Sequence, residues 1–396
     1  MLLKIMQTFN RKMMEEKIRI FGNRREELDN LNESLNSLVQ GKPRHFVIIG
    51  PRRIGKTHLA IKYGLGAFRE GAVPIYVDCL FLTSWAEVAN AIVESAIGNY
   101  VEFSGKKIDA DAFLVKAGTK VSDIISAIKS VEAEIGSEAG QYLTLRVSME
   151  KKSDEIDLLR KALRLASEFA EKKDVRFIAI LDEIQHAAKF ESCDEGFAAI
   201  RSEMQFQSRI QFIFSGSSPT FMRENFLGKS AALWKQVTPF EMGEFTVDGV
   251  EEIIKKMNPK AKFGDTESKL LHDLTHGMPD YVVKTLESIQ GAEVDSLDPE
   301  RIRFGFGKVI ESEARFVEYV LDQIPVDQLK VLNAIASGKK SYRDIAAMFK
   351  YPPTMAIRDL ERDEILKKEG RGRYSIRDPI VEKVLSKSIT EERGCG

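Results

Sequence analysis

An apolar run, His45-Phe46-Val47-Ile48-Ile49, opens directly into Gly50-Pro51-Arg52-Arg53-Ile54-Gly55-Lys56-Thr57. The second segment is a complete G-x-x-x-x-G-K-[ST] phosphate-binding loop, which needs a buried strand before it and a helix after it. Both are legible, the helix running on through His58-Leu59-Ala60-Ile61-Lys62-Tyr63. The residue types follow from the chemistry. Gly50 and Gly55 let backbone N–H groups curl inward around phosphates, and Pro51, Arg52, Arg53 and Ile54 complete the loop between them. Lys56 reaches the terminal phosphates as a point charge, and the Thr57 hydroxyl is placed to ligate magnesium. The helix that opens at Lys56 aims its positive dipole end at the same anion, with His58 in its first turn. Arg52 and Arg53 are either phosphate ligands or solvated side chains. The expected ligands are ATP or ADP and Mg2+.

With 396 residues, 43% of them hydrophobic and 30% charged, the chain has room for two or three packed domains. Its formal net charge of -1 means that any nucleic-acid site must come from local charge. Cys79, Cys193 and Cys395 are widely spaced and form no C-x-x-C pair. That usage fits a reducing cytoplasm and excludes a zinc ribbon or a disulfide framework. No apolar run approaches the roughly 20 residues needed to cross a bilayer, and the N-terminus lacks an adequate signal-peptide core. A cytoplasmic protein with no membrane partner is the expectation.

Far downstream, Val175-Arg176-Phe177-Ile178-Ala179-Ile180-Leu181 reads as a buried parallel strand ending in Asp182-Glu183, a Walker B pattern. Asp182 is placed to hold magnesium, directly or through water, and Glu183 to orient and polarise the attacking water. A third strand, Ile210 to Phe214, runs into Ser215-Gly216-Ser217-Ser218. Ser215 and Ser217 are candidates for a sensor near the γ-phosphate, against the alternative of a plain glycine-serine turn. The strand Val73 to Asp78 completes a βα alternation that implies a parallel sheet covered on both faces.

The stretch between that strand and Walker B reads as helix-rich. Ile156, Leu159, Leu163, Ala166 and Ala170 mark one helix face, and Ile124, Ile125, Ile128, Val131 and Ile135 suggest another. Glu138 to Lys152 is mostly polar, glycine-bearing and a candidate mobile segment. After Pro239 the alternation stops and helices take over, over Val247 to Ile254, Glu267 to His276 and Asp280 to Ile289. Gly277-Met278-Pro279 breaks the chain between the last two and sets a turn expected to face the nucleotide base.

From about Pro325 the rhythm changes again. Val326 to Ala336 forms one helix, Ser341 caps a second over Tyr342 to Phe349, and Pro353-Thr354 opens a third through Arg358 and Arg362. Ile365 to Glu369 and Arg373 to Arg377 are extended pieces joined by Gly370-Arg371-Gly372. Three helices and a glycine-tipped hairpin make a winged helix-turn-helix. Arg358, Arg362, Lys367, Lys368, Arg371 and Arg373 are candidate contacts to duplex DNA. Asp359, Glu361, Asp363 and Glu364 oppose that reading, and an intramolecular packing module stays open beside it.

With these motifs in order, the chain resembles the archaeal ATPase family of the STAND class of AAA-related P-loop proteins, and less closely the archaeal origin-recognition initiators. Phe21 to Leu28 is similar to that family's opening motif, with Asn23 shifting the usual Arg-Glu pair into Arg24-Arg25-Glu26. Phe214 to Ser218 matches its strand-serine-glycine-serine-serine element, and Gly277-Met278-Pro279 its adenine-contacting G-x-P. One departure is Leu233-Trp234-Lys235-Gln236, where the family commonly carries an arginine that senses the γ-phosphate. Lys235, Arg201, Arg209 and Arg223 are the candidate replacements, while Trp234 reads as core.

The resulting expectation is an α/β chain: an AAA-like P-loop NTPase followed by a helical lid and a C-terminal winged helix-turn-helix. Its divisions are an arm over 1–20, a core over 21–240 with a helical insertion around 104–172, the lid over 241–320 and the winged helix over 321–396. The function this implies is an ATP-hydrolysing switch that binds duplex DNA. The alternatives are a signalling or scaffold ATPase whose winged helix is an intramolecular latch, and a replication-initiator or transposition-helper ATPase. A homo-oligomer or a protein partner is compatible with each.

Overall fold

A computed structural model describes residues 11–104, 128–135, 143–149, 155–289 and 296–394. In chain order its strands are β1 His45–Ile49, β2 Ala72–Asp78, β3 Ile128–Ile135, β4 Leu143–Met149, β5 Arg176–Asp182, β6 Ile210–Gly216, β7 Val237–Glu241, β8 Leu366–Gly370 and β9 Arg373–Ile376. Five of them form one parallel sheet in the order β2-β5-β6-β1-β7. β1, β5 and β6 are apolar almost throughout because helices cover both faces of the sheet.

Alternate residues of the strands feed two separate cores. Val47, Ile49, Phe177, Ala179, Phe212 and Phe214 pack under the helices Trp85–Ser104, Glu155–Lys173 and Cys193–Met204. Phe46, Ile48, Ile178, Ile180 and Ile213 pack under Arg11–Lys17, Arg25–Val39 and Lys56–Ala67. Burying each valine, isoleucine or phenylalanine among them stabilises the fold by roughly 1.5–3 kcal/mol, so the sheet is a rigid base for the loops at its carboxyl edge. Trp85 is enclosed by Phe190 and Phe197, and an added Cβ at Gly196 would strike its indole.

Two expectations need correction. Ile128 to Ile135 is a strand rather than a helix face, paired antiparallel with Leu143–Met149. Val131, Ala133 and Ile135 alternate with Ser130, Glu132 and Glu134, and Leu143, Leu145, Val147 and Met149 alternate with Thr144, Arg146 and Ser148. This period of two suits an antiparallel pair, and β4 falls inside the mostly polar, glycine-bearing segment. Ile124 and Ile125 lie outside the described residues. The parallel sheet also continues beyond the expected break, since β7 carries Pro239 and, among the described residues, pairs only with β1 at the sheet edge, where a missing N–H is tolerated.

Downstream, the helices Val247–Met257, Asp265–Thr275 and Pro279–Ile289 share an apolar core with Phe245, Leu297 and Ile302. The long helix Pro299–Leu321 connects to the helices Val326–Ala336, Tyr342–Ala346 and Thr354–Arg362, then to the antiparallel pair β8-β9 and the helix Pro379–Gly394. Ser341 caps its helix by accepting the Asp344 N–H at 3.1 Å. Met278, Tyr281 and Phe306 reach into the same apolar cluster as Leu332, Ile357 and Ile376. No helix among the described residues is long and apolar enough to cross a membrane.

Candidate functional site

Gly50 is required by a close approach: a Cβ there would lie 2.5 Å from the Met242 carbonyl oxygen, beside the point where Met242 N–H donates to Ile49. Arg53 and Gly55 then take left-handed backbone conformations with φ of 67° and 91°. The loop closes over Lys56, whose ammonium is buried and donates to the carbonyls of Gly50 at 2.9 Å and Pro51 at 2.8 Å. Burial pulls Lys56 down to about 8, with Glu183 and Asp182 acting in the opposite direction. Arg24 fastens the loop from outside, donating to the carbonyls of Ile54 at 3.3 Å and Gly243 at 2.6 Å.

β2 and β5 are in register so that Asp78 stands opposite Asp182. Asp182 is buried and accepts from the Thr57 hydroxyl at 2.5 Å, from the Tyr76 phenol at 2.9 Å and from the Ser215 hydroxyl. The two residues expected to serve magnesium are therefore already in contact across the loop and Walker B. A hard divalent ion takes hydroxyl and carboxylate oxygens of this kind, so the residues fit the ion. Burial and the Asp182 charge push the Tyr76 hydroxyl upward, which keeps it a donor.

Glu183 leaves the strand with φ 50° and ψ 38°, a left-handed conformation that non-glycine residues seldom adopt. One carboxylate oxygen, Oε2, accepts from the Ser217 hydroxyl at 2.7 Å and from the Gln185 amide. Of the two serines singled out, Ser215 thus meets Asp182 and Ser217 meets Glu183.

A cavity of about 710 Å³ opens over this edge. Arg53, Ile54, Gly55, Lys56, Thr57, His58 and Glu183 line it together with an apolar wall of Ile20, Phe21, Phe245, Ile253, Pro279 and Val283, and with the charged Glu16, Lys17, Arg19, Arg24, Asp280 and Glu287. Phosphate-loop residues and apolar side chains in one cleft of this volume suit a mononucleotide. Pro279 joins the apolar wall because Gly277 turns with φ 65° and its carbonyl accepts from Phe245 N–H at 2.7 Å. Arg52 is exposed. Arg53 instead lies over the Tyr281 ring at 4.8 Å, donates to the Tyr281 hydroxyl, and pairs with Glu313 at 3.0 Å. The Tyr281 hydroxyl donates onward to Asp378 at 2.7 Å.

The candidate replacements for a missing sensor arginine are scattered. Arg209 pairs with Asp174 at 2.9 Å, just ahead of β6 and β5, at the edge of the parallel sheet opposite the phosphate loop. Arg223 pairs with Glu241, the Lys235 ammonium sits 4.5 Å from the Trp234 ring centre, and Arg201 belongs to the helix Cys193–Met204. Trp234 is half-buried, the buried residue of that segment being Leu233. Among the DNA candidates, Arg358, Lys368, Arg371 and Arg373 are exposed and make no ion pair among the described residues. Arg362 is taken up by Asp359 and Asp363, and Lys367 by Glu244 at 3.5 Å and Glu369 at 4.0 Å. Arg377 pairs with Glu244 at 2.7 Å and Glu364 at 2.9 Å.

Sequence reasoning missed Tyr76, Gln185 and Tyr281. Tyr76 reads simply as one more residue of a buried strand, and only its hydroxyl, on the same sheet face as Asp182, marks it out.

No protein-family model matches the chain, and no curated protein matches it. Solved structures do. The Walker-type ATPase PABY2304 of Pyrococcus abyssi superposes with a TM-score of 0.63 at 19% identity, covering 97% of this chain and 99% of that one. The ORC2 protein of Aeropyrum pernix, in ADPNP-ADP complexes, gives 0.57 at 15% identity over 94% and 95% of the two chains. Its ADP form gives 0.51 at 14% identity over 93% of each. The chain has the fold of a Walker-type ATPase over nearly its whole length.

Proposed function

We propose that this chain is an ATP-binding and ATP-hydrolysing switch of the AAA-related, STAND-like kind. In this reading residues 241–320 act as a helical lid and 321–396 as a winged helix. The observation that carries it is the meeting of Lys56, Thr57, Asp182 and Glu183 at one sheet edge, beneath a cavity closed by Pro279 and Phe245. Lys56 and the loop N–H groups would hold the phosphates, Thr57 and Asp182 would hold magnesium, and the apolar wall would take the base. Bound magnesium supplies positive charge that neutralises the phosphates. Glu183 takes a proton from the attacking water through Oε1, the oxygen that accepts no hydrogen bond among the described residues. The nucleotide complexes of the ORC2 protein support the same ligand class for this chain.

Lys56→Ala is expected to abolish turnover and greatly weaken nucleotide binding. Glu183→Gln keeps the shape and removes the base, so ATP stays bound while turnover falls by roughly 10²-fold or more. Equilibrium binding and steady-state ATP turnover of the two variants check this. Unchanged turnover in Lys56→Ala removes the phosphate-loop assignment, and loss of binding in Glu183→Gln makes that residue structural.

A second reading concerns the output. Duplex DNA is the partner favoured by the exposed Arg358, Lys368, Arg371 and Arg373. The ion pairs of Lys367 and Arg377 with Glu244 favour a latch in which the winged helix is held against the first residues of the lid, just after β7. The two are compatible if nucleotide state decides whether the latch is closed.

A further inference from the structure

Glu183 holds a backbone conformation that costs free energy, and something must fix the direction of its carboxylate once the strand has ended. The side chain two residues on does so. Gln185 donates from Nε2 both to Glu183 Oε2 and, at 2.9 Å, to the Ser217 hydroxyl, while its Oε1 accepts the Ser217 N–H at 3.2 Å. The amide is thus held at both ends, by the carboxylate on one side and by the end of β6 on the other. Ser217 Oγ closes the triangle on Glu183 at 2.7 Å.

Gly216 makes room for this arrangement. A Cβ at that position would lie 2.8 Å from Gln185 Oε1 and would also strike the Met222 sulfur. The serine-glycine-serine element and the glutamine after Walker B therefore form one built unit around Glu183. A planar amide pinned by three hydrogen bonds leaves the carboxylate little rotational freedom, with Oε2 occupied and Oε1 accepting no hydrogen bond among the described residues.

Resting on the reading of Glu183 as the base, we propose that Gln185 is a positioning residue for ATP hydrolysis: with Ser217 it fixes the Glu183 carboxylate so that Oε1 alone receives the proton of water. Gln185 does not line the nucleotide cavity, so its contribution falls on the chemical step rather than on binding.

The test compares single-turnover hydrolysis and ATP affinity in the full chain for Gln185→Ala, Gln185→Glu and Glu183→Gln, and for Gln185→Ala combined with Glu183→Gln. Gln185→Ala is expected to slow hydrolysis by roughly 10- to 100-fold with affinity within about twofold of wild type. Gln185→Glu preserves the shape but sets an acceptor against Oε2. It should be equally slow, which keeps the test intact if the alanine variant folds poorly. In the Glu183→Gln background, Gln185→Ala should slow hydrolysis no further, because the two residues act as a unit. Wild-type turnover in Gln185→Glu, or an undiminished effect of Gln185→Ala in the Glu183→Gln background, overturns the inference alone. Wild-type turnover in Glu183→Gln overturns the reading of the site and this inference with it.

Discussion

His45 begins β1 with its ring buried, and its Nδ1 accepts the Phe212 N–H at 3.0 Å. An imidazole that accepts there cannot also hold a proton there, and burial pulls its pKa to about 4. The unfolded chain takes up the proton near 6.5, the fold does not, and stability is therefore lost as pH falls from 6.5 to 4. The size of the effect is roughly 3 kcal/mol. His45→Asn keeps an acceptor without the titration, so urea unfolding of the variant should lose that part of the acid slope. An identical slope in both proteins would mean that other groups carry it. The same scale explains what a sequence conceals. Lys56, Thr57, Asp182 and Glu183 stand in motifs whose spacing states their geometry, whereas Tyr76 and Gln185 reach Asp182 and Glu183 through hydrogen bonds that no spacing announces.

Elements were legible where one physical demand dominated. β1, β5 and β6 must be apolar on both faces, and few other structures accept such runs. Val131 and Ile135 satisfied a helical spacing and a strand alternation at once, and antiparallel pairing with Leu143–Met149 decided between them. β7 was obscured by Pro239, which an edge strand tolerates. The turn into the helix Pro279–Ile289 was visible in Gly277 and Pro279, but its purpose rests on Tyr281. That side chain is buried, accepts from Arg53 of the phosphate loop and donates to Asp378, which in turn accepts the Ile380 N–H at 2.8 Å at the start of the last helix. Burial and the neighbouring Asp378 push the hydroxyl upward, so it stays protonated as a donor. Tyr281→Phe removes both bonds and leaves Arg53 and Asp378 each one partner short, a loss of about 1–3 kcal/mol by equilibrium denaturation. A variant as stable as wild type would show that solvent replaces the hydroxyl at no cost.

At the scale of the whole molecule, the contacts divide basic residues that the sequence left as one group. The hairpin carries two sets of basic residues. Lys367 and the adjoining Arg377 pair with Glu244 just after β7, while Lys368, Arg371 and Arg373 are exposed and touch no acidic partner among the described residues. Replacing Arg371 and Arg373 by alanine should therefore leave basal ATP turnover unchanged. If these residues contact duplex DNA, the double variant should bind all duplexes more weakly and lose about one unit of salt slope per contact. Replacing Glu244 by glutamine addresses the other set. Arg377 is half-buried between Glu244 and Glu364, so neutralising Glu244 weakens the docked arrangement without touching the exposed face. If docking restrains the switch, Glu244→Gln should raise basal turnover and leave the salt slope for duplex as it was. Fluorescence anisotropy over a salt series, with turnover measured on the same preparations, reads both quantities. Raised turnover from the Arg371 and Arg373 pair with normal duplex binding would move the latch onto the exposed face and remove DNA from the proposal.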